Sequence, residues 1–511
     1  MLSSVPIDLC ALIDEGLSIE RPESHLNTAD LTMIRQFLTQ CSTGHESCSQ
    51  ASSGFMPTRL IDIQGKPATL RLIESASLGH QVRYATLSYC WGKPRPGQDC
   101  YQTTASNLAD RLHVFVLAEQ PPTIQDAIRV ARTLDIGYLW VDALCILQGD
   151  KADWEREGSA MNNVYRNAYL TIVPAASHSV WDGFLTRTSI VNELSLVSTP
   201  DARSRSLVLG YPHPSPPSVS VRLPWYQRAW TLQELALSTR VLYFTRDAIY
   251  VECLSVRDEP TFELPSVCRP WDQVRTSRSG KKKSNALGDW LGLLEQYSSR
   301  KLTYEGDKLL AISGLANHVS EKSPSLGSYI FGNFSRKIHR GLLWTGIAES
   351  RPKRRISTMP SWAWASYPGR VTFSGEQSYV FFESNIEYVS CSPEGALTVS
   401  AKGFRARTLI ADLEAFNVRT FHTGDNLSFS LDLEGDLLVD DVEAISLAHS
   451  SEPYSFEIVG ILVERDIDDQ RHGIQNRYSR VGWFRMRKSW LGEANLRDLY
   501  WTTQPHDITL V

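Results

Sequence analysis

A carboxylate on the apolar stripe of a helix is the first feature of this sequence with a chemical consequence. Laid on a helix at about 100° per residue, the segment DWEREGSAMNNVYRNA (153–168) gathers Trp154, Ala160, Met161, Val164, Tyr165 and Ala168 on one side. Glu157 falls inside that stripe. An inward carboxylate either pairs with a buried Arg, Tyr or backbone amide, or lines a pocket where desolvation tunes it for catalysis. A second acid, Asp142, interrupts YLWVDALCIL (138–147), an apolar run that reads as a strand buried on both faces. It satisfies backbone donors or belongs to a site. YATLSYCWG (84–92) begins as a buried strand and ends in a polar turn, which puts Ser88, Tyr89, Trp91 and Gly92 at a carboxyl end. Ligands of open α/β sheets bind there, although an aromatic cap packed on a neighbouring helix fits the same pattern. In RAWTLQELALS (228–238), Gln233 and Glu234 flank a stripe of Trp230 and Leu237, so another carboxylate approaches the same core or cleft. Arg228 can pair with either acid, and a structural salt bridge is the simpler reading of that neighbourhood.

Cys41, His45 and Cys48 in CSTGHESC supply three zinc-ligand types, but no fourth ligand is near in sequence. Ordinary thiol and imidazole packing is the expectation, with no metal. The sequence has no GxxxxGK[ST], no GxGxxG after a strand, no HExxH and no GxSxG. Nucleotide phosphate loops, dinucleotide-binding folds, zinc peptidases and α/β-hydrolases are thereby disfavoured.

The elements that must hold these residues follow an α/β order. PPTIQDAIRVARTLDIG (121–137) is an amphipathic helix with Ile124, Ala127, Ile128, Ala131 and Leu134 on one face. Thr123 and Asp126 resemble a capping box, and Gly137 is the expected stop. YLTIVPA (169–175) is a strand, HSVWDGF (178–184) a polar turn, and VLYFT and AIYVEC form a hairpin around Arg246–Asp247. Strands and helices alternating from 84 to 253 predict a largely parallel sheet flanked by helices. Upstream, a helical pattern near 29–40 precedes the strand-like PTRLIDI and ATLRLIES. Residues 286–346 read as helical, and beyond RPKRR (351–355) short β-rich segments predict an antiparallel domain. The expected divisions are a preamble at 1–75, the α/β domain at 76–255, a linker and helical extension at 256–350, and the β-rich domain at 351–511. The basic runs RSGKKKS and RPKRR read as solvated linker loops rather than a nuclear address.

The chain has 511 residues, 42% hydrophobic and 21% charged, with a net charge of −5. That length implies more than one core, and the acidic balance argues against nucleic acid as the main ligand. No apolar run is long enough to span a membrane. The N-terminus carries Asp8 and Asp14 and lacks a basic start, and nine cysteines are scattered singly. Reduced thiols in the cytoplasm, or the nucleus, are expected.

Four ordered blocks, YATLSYCWG, TIQDAIRVARTLDIGYLWVDALCILQ, DWEREGSAMNNVYRNAYLTI and RAWTLQELALSTR, together resemble the HET (heterokaryon incompatibility) domain of fungi. The resemblance covers about 84–253, with weaker similarity through PTRLID (57–62), RKLTYEGDKLLAISGLA (300–316), GLLW (341–344) and PSWAWAS (360–366). Asp135, Gly149 and GFL (183–185) depart from the family pattern. The resemblance implies an effector of cell death or growth arrest on fusion of unlike fungal cells, acting alone, as a homo-oligomer or with another incompatibility protein. The domain is also distantly similar to TIR (Toll/interleukin-1-receptor) domains, some of which hydrolyse NAD through a helix glutamate. Carried over, that likeness implies a TIR-like fold, Glu157 as the catalytic residue, and Ser88, Tyr89, Trp91 and Asp142 around NAD, a substrate and not a bound cofactor. Trp91 or Trp154 offers a face for a base or nicotinamide, and Arg228 and Glu234 complete the candidate set from their place beside the same core or cleft. The alternative is a non-catalytic interaction module with Glu157 in a structural ion pair.

Overall fold

The computed structural model describes residues 23–24, 28–49, 54–93, 101–185, 187–188, 192–196, 205–209, 223–245, 249–254, 286–347, 352, 354–373, 383–405, 420–423, 427–432, 442–452, 455–465, 477–487 and 503–511. The chain divides into two compact units, Met1–Val267 and Cys268–Val511. The run RSGKKKS and the hairpin tip at Arg246–Asp247 lie outside the described residues.

The first unit is organised by one eight-stranded mixed sheet. After helices α1 (Thr28–Gly44) and α2 (Glu46–Ser49) come strands β1 (Arg59–Asp62), β2 (Thr69–Glu74) and β3 (Tyr84–Leu87). Helix α3 (Leu108–His113) and the short β4 (Phe115–Val116) lead to α4 (Pro122–Thr133) and β5 (Tyr138–Trp140). The turn α5 (Asp142–Cys145), helix α6 (Lys151–Asn167), β6 (Leu170–Pro174), α7 (Trp230–Leu237), β7 (Arg240–Phe244) and β8 (Ile249–Cys253) complete it. In space the strands run β8-β7-β6-β3-β5-β1-β2-β4.

Only the four central strands are parallel, pairing β3 with β5, β3 with β6, and β6 with β7. Both flanks are antiparallel, so the sheet is mixed around a parallel centre. The two strands expected in a preamble, β1 and β2, belong to this same sheet. Numbered along the chain, the parallel strands lie in the order 2-1-3-4. The first strand, β3, has its successor β5 on one side and β6 on the other. With the usual right-handed crossovers this order puts α4 and α6 on opposite faces, and the crevice beyond the carboxyl ends of β3 and β6 is the topological switch point. Buried Ile, Leu and Val side chains fill both faces, as a doubly covered sheet requires.

Three local expectations are corrected. The run after β5 does not continue as a strand: it stops at Trp140, and Asp142–Cys145 forms a helical turn. Asp142 therefore stands at the strand's carboxyl end and does not interrupt a ladder. Helix α4 has no capping box, because Thr123 makes no side-chain cap bond and Asp126 accepts instead from the Phe184 and Leu185 amides at 2.8 and 3.1 Å. The same helix ends before Gly137, with Asp135 taking the left-handed conformation (φ 59°) that would favour glycine. The Ile136 amide then bonds the Ala131 carbonyl at 2.9 Å.

The second unit contains α8 (Ala286–Ser298) and α9 (Leu310–Lys322), followed by short strands and a nine-stranded sheet built from segments between Glu383 and Leu510. Its pairings are antiparallel except between Arg477–Arg487 and His506–Leu510. Buried Asp432 bonds Arg480 at 2.9 Å and Arg355 at 2.7 Å, and the Arg480 guanidinium stacks 3.7 Å from the Trp344 ring centroid. The two positive charges outweigh burial and hold the Asp432 carboxyl below its ordinary range.

Candidate functional site

Strand β3 runs straight into the site. Its register continues past Leu87, since the Ser88 amide bonds the Ile172 carbonyl of β6 at 3.0 Å. Ser88 Oγ donates to Glu234 Oε2 and accepts from Trp225 Nε1 at 2.7 Å. Glu234 sits in the second turn of α7, only 7% exposed. The Tyr165 hydroxyl from α6 reaches the same carboxyl and, at 3.5 Å, the Leu87 carbonyl. Burial raises the Glu234 pKa from 4.5 to about 7, against the Ser88 hydrogen bond and the Arg228 charge, which lower it.

Asp142 enters from the neighbouring strand end. Its Oδ2 accepts from Trp91 Nε1 at 2.8 Å and its Oδ1 from the Ala143 amide at 2.7 Å. Desolvation still pushes its carboxyl above the ordinary range. Arg228, half-buried, donates to the Tyr89 carbonyl at 2.7 Å, and its charge acts on both Asp142 and Glu234. The Tyr89 hydroxyl is buried against Asp142 and makes no hydrogen bond of ordinary geometry among the described residues. Two desolvated carboxyls thus share one guanidinium, with Trp91, Asp142 and Arg228 part-exposed above a buried floor of Ser88, Tyr89, Tyr165, Trp225 and Glu234.

The loops that frame this arrangement touch. The Val180 amide, in the turn after β6, bonds the Trp91 carbonyl at 3.3 Å, and Asp182 caps that turn through the His178 and Ser179 amides at 2.6 and 3.0 Å. Gly92 has φ 83°, and a Cβ there would lie 2.4 Å from Ser179 Cβ. Gly92→Ala is expected to cost roughly 1–3 kcal/mol, because an unfavourable backbone conformation adds to a clash between two backbone-fixed atoms. Denaturant unfolding of the variant beside wild type measures it, and an unchanged midpoint would contradict this packing.

Glu157 points inward as its spacing requires and is 2% exposed, but it occupies a different network. Its Oε1 accepts from Arg156 Nε at 3.2 Å, and Arg156 also bonds Asp153. Asp153 takes both Nη groups of Arg59, at 3.0 and 2.6 Å, and the Leu147 amide at 2.7 Å. Arg228 is therefore a neighbour of Glu234 and Asp142, while Glu157 pairs with Arg156. Trp154 packs edge-on against Trp230, joining α6 to α7, with ring centroids 6.0 Å apart. So Ser88, Tyr89, Trp91, Asp142, Arg228 and Glu234 come together, and Glu157 and Trp154 make their contacts elsewhere. Trp225 and Tyr165 join the site without a strong sequence signal. Trp225 precedes the RAW block by three residues, and Tyr165 is an aromatic on the Glu157 stripe.

The family model described as Heterokaryon incompatibility protein (HET) matches residues 84–234, from the first residue of β3 to the buried acid of α7. The chain carries a HET domain. No curated protein and no solved structure matches the chain. The matched span of the HET domain contains every residue of the switch-point arrangement, which ends on Glu234 itself. Among the described residues, no helix is long and apolar enough to cross a membrane.

Proposed function

We propose that this chain is an effector of fungal heterokaryon incompatibility whose HET domain hydrolyses NAD at the switch-point site, causing cell death or growth arrest. The observation that carries the reading is the pair of desolvated carboxyls, Glu234 and Asp142, around Arg228 where β3 ends. The 2-1-3-4 order of the parallel strands, with 84–87 first, supports a TIR-like reading of the domain.

Hydrolysis breaks the C1′–N bond, its electron pair leaving on the nicotinamide nitrogen, while water oxygen bonds C1′ and a proton is released. The oxocarbenium-like transition state gains from a fixed carboxylate, the role given to Asp142. A carboxyl with a pKa near 7 suits acceptance of the water proton at neutral pH. Arg228 suits the dinucleotide phosphates, and Trp91 offers a flat apolar face to a base. The reacting carboxyls are thus assigned to Glu234 and Asp142 rather than to Glu157, whose charge Arg156 already answers.

The Glu157–Arg156 pair favours a second reading, in which the domain signals by contact with a copy of itself or another incompatibility protein. Expression in fungal cells separates the two. Wild type is expected to deplete cellular NAD before growth stops, and Asp142→Asn, accumulating to the same level, is expected to do neither. Growth arrest with NAD unchanged would replace hydrolysis by the contact reading.

A further inference from the structure

Helix α1 ends in a face that the sequence leaves short of one ligand and the fold completes. Cys41 and His45 are four residues apart, which puts them on one side of the helix end. The Cys48 amide bonds the His45 carbonyl at 3.0 Å and turns the chain back, bringing Cys48 to the same side. The fourth group is Cys253, the last residue of edge strand β8. Its Sγ lies 3.4 Å from His45 Nδ1, although the two are 208 residues apart in sequence. All four potential ligand atoms lie within 4.8 Å of one another.

We infer that Cys41, His45, Cys48 and Cys253 form a structural zinc site that ties the α1–α2 segment to the edge of the HET-domain sheet. A tetrahedral zinc with arms of about 2.0–2.3 Å needs ligand atoms roughly 3.5–3.8 Å apart. The cluster meets that spacing with little movement, and its three thiols are buried while His45 is half-buried. Four protein ligands leave no open position, so the site is structural and not catalytic.

A cation stands beside the cluster. Arg240 stands opposite Cys253 in the β7–β8 register, and its Nε lies 3.1 Å from Cys41 Sγ. Its Nη2 donates to the Cys48 carbonyl at 3.2 Å. Three thiolates and one neutral imidazole around a divalent ion carry one negative charge, which the guanidinium balances. Such a donor, fixing a ligating sulfur from outside, is what a metal site needs beyond its ligands. No disulfide joins the three cysteines, and none of the four ligands falls within the family-matched residues 84–234. Tying down β8 also covers the end of an edge strand.

The test is metal analysis of the full chain purified under reducing conditions, with zinc supplied and then removed by gel filtration. About one zinc per chain is expected to be retained, falling below about a tenth in Cys253→Ser and in His45→Ala and staying unchanged in Cys391→Ser. Because a cluster variant can fail to fold, the wild type is also loaded with Co2+. Thiolate-to-cobalt charge-transfer bands together with the visible bands of a tetrahedral site would confirm the assignment independently. A reduced, folded wild type that retains neither metal would overturn it.

Discussion

Replacing Glu234 by glutamine is expected to give a protein that is more stable than wild type at pH 8 and at least about a hundredfold slower in cleaving NAD. The two effects have one cause. The folded protein raises this carboxyl from 4.5 to about 7, chiefly by desolvation. Below pH 4.5 the group is neutral in folded and unfolded chains, and its burial is then least costly. As pH rises toward 7 the unfolded chain gives up the proton first, so the folded state loses stability across that window. The difference amounts to about 3 kcal/mol once pH exceeds 7. Glutamine keeps an oxygen to accept from Ser88 but never ionises, so its stability is expected to lack this decline. Denaturant titrations at pH 4.5 and 8, followed by tryptophan fluorescence, measure it. Parallel pH profiles for variant and wild type would show that Glu234 does not ionise within the fold at a cost.

Arg59→Met is expected to destabilise the first unit by about 3–5 kcal/mol, the usual result of removing one partner from a buried ion pair. The Arg59 and Asp153 side chains are 8% and 5% exposed. Arg59 also donates to the Cys145 carbonyl at 2.8 Å, linking β1 to the turn after β5. Loss of the guanidinium leaves Asp153 with the more exposed Arg156 and the Leu147 amide. The Asp153 carboxyl is held below its ordinary 3.8 by Arg59 and the Leu147 amide, which outweigh burial. Its stabilisation is therefore complete above pH 3.8 and lost as pH falls through the depressed folded value. Acid unfolding of Arg59→Met is accordingly expected to begin at higher pH than in wild type. A double variant, Arg59→Met with Asp153→Leu, is expected to recover much of the loss, because the stranded charge is gone. If Arg59→Met unfolds at the wild-type midpoint, the pair contributes nothing and the network is incidental.

Residues that act within one element were legible in the sequence, and those that meet across the fold were legible only in part. The strand-to-turn change at YATLSYCWG placed Ser88, Tyr89 and Trp91 at a carboxyl end, where the structure has them. That Glu157 faces inward is legible because a 3.6-residue period is a local property. Its partner Arg156 lies about 100° round the helix, off the apolar stripe, so the stripe alone does not point to it. The stop after Trp140 leaves no sign in the sequence, because a buried strand and a buried helical turn give the same apolar run. In the sequence Glu234 only flanks a stripe. What makes it a candidate is Ser88, 146 residues earlier, together with the burial of its carboxyl. Cys253 was invisible as a ligand for the same reason: only the closing of the sheet brings it to His45. In the second unit the alternating segments announced antiparallel strands, while the Arg355–Asp432–Arg480 network, assembled from three distant segments, left no local trace.

Nicotinamide release from NAD by the purified full chain at neutral pH, wild type beside Glu234→Gln and Glu157→Gln, tests the central claim most directly. The account predicts release by wild type and by Glu157→Gln if it folds, and none above background from a folded Glu234→Gln. Release that survives in Glu234→Gln and disappears in folded Glu157→Gln would move the chemistry to α6. No release from a well-folded wild type, with and without crowding to promote assembly, would contradict hydrolysis at the switch-point site.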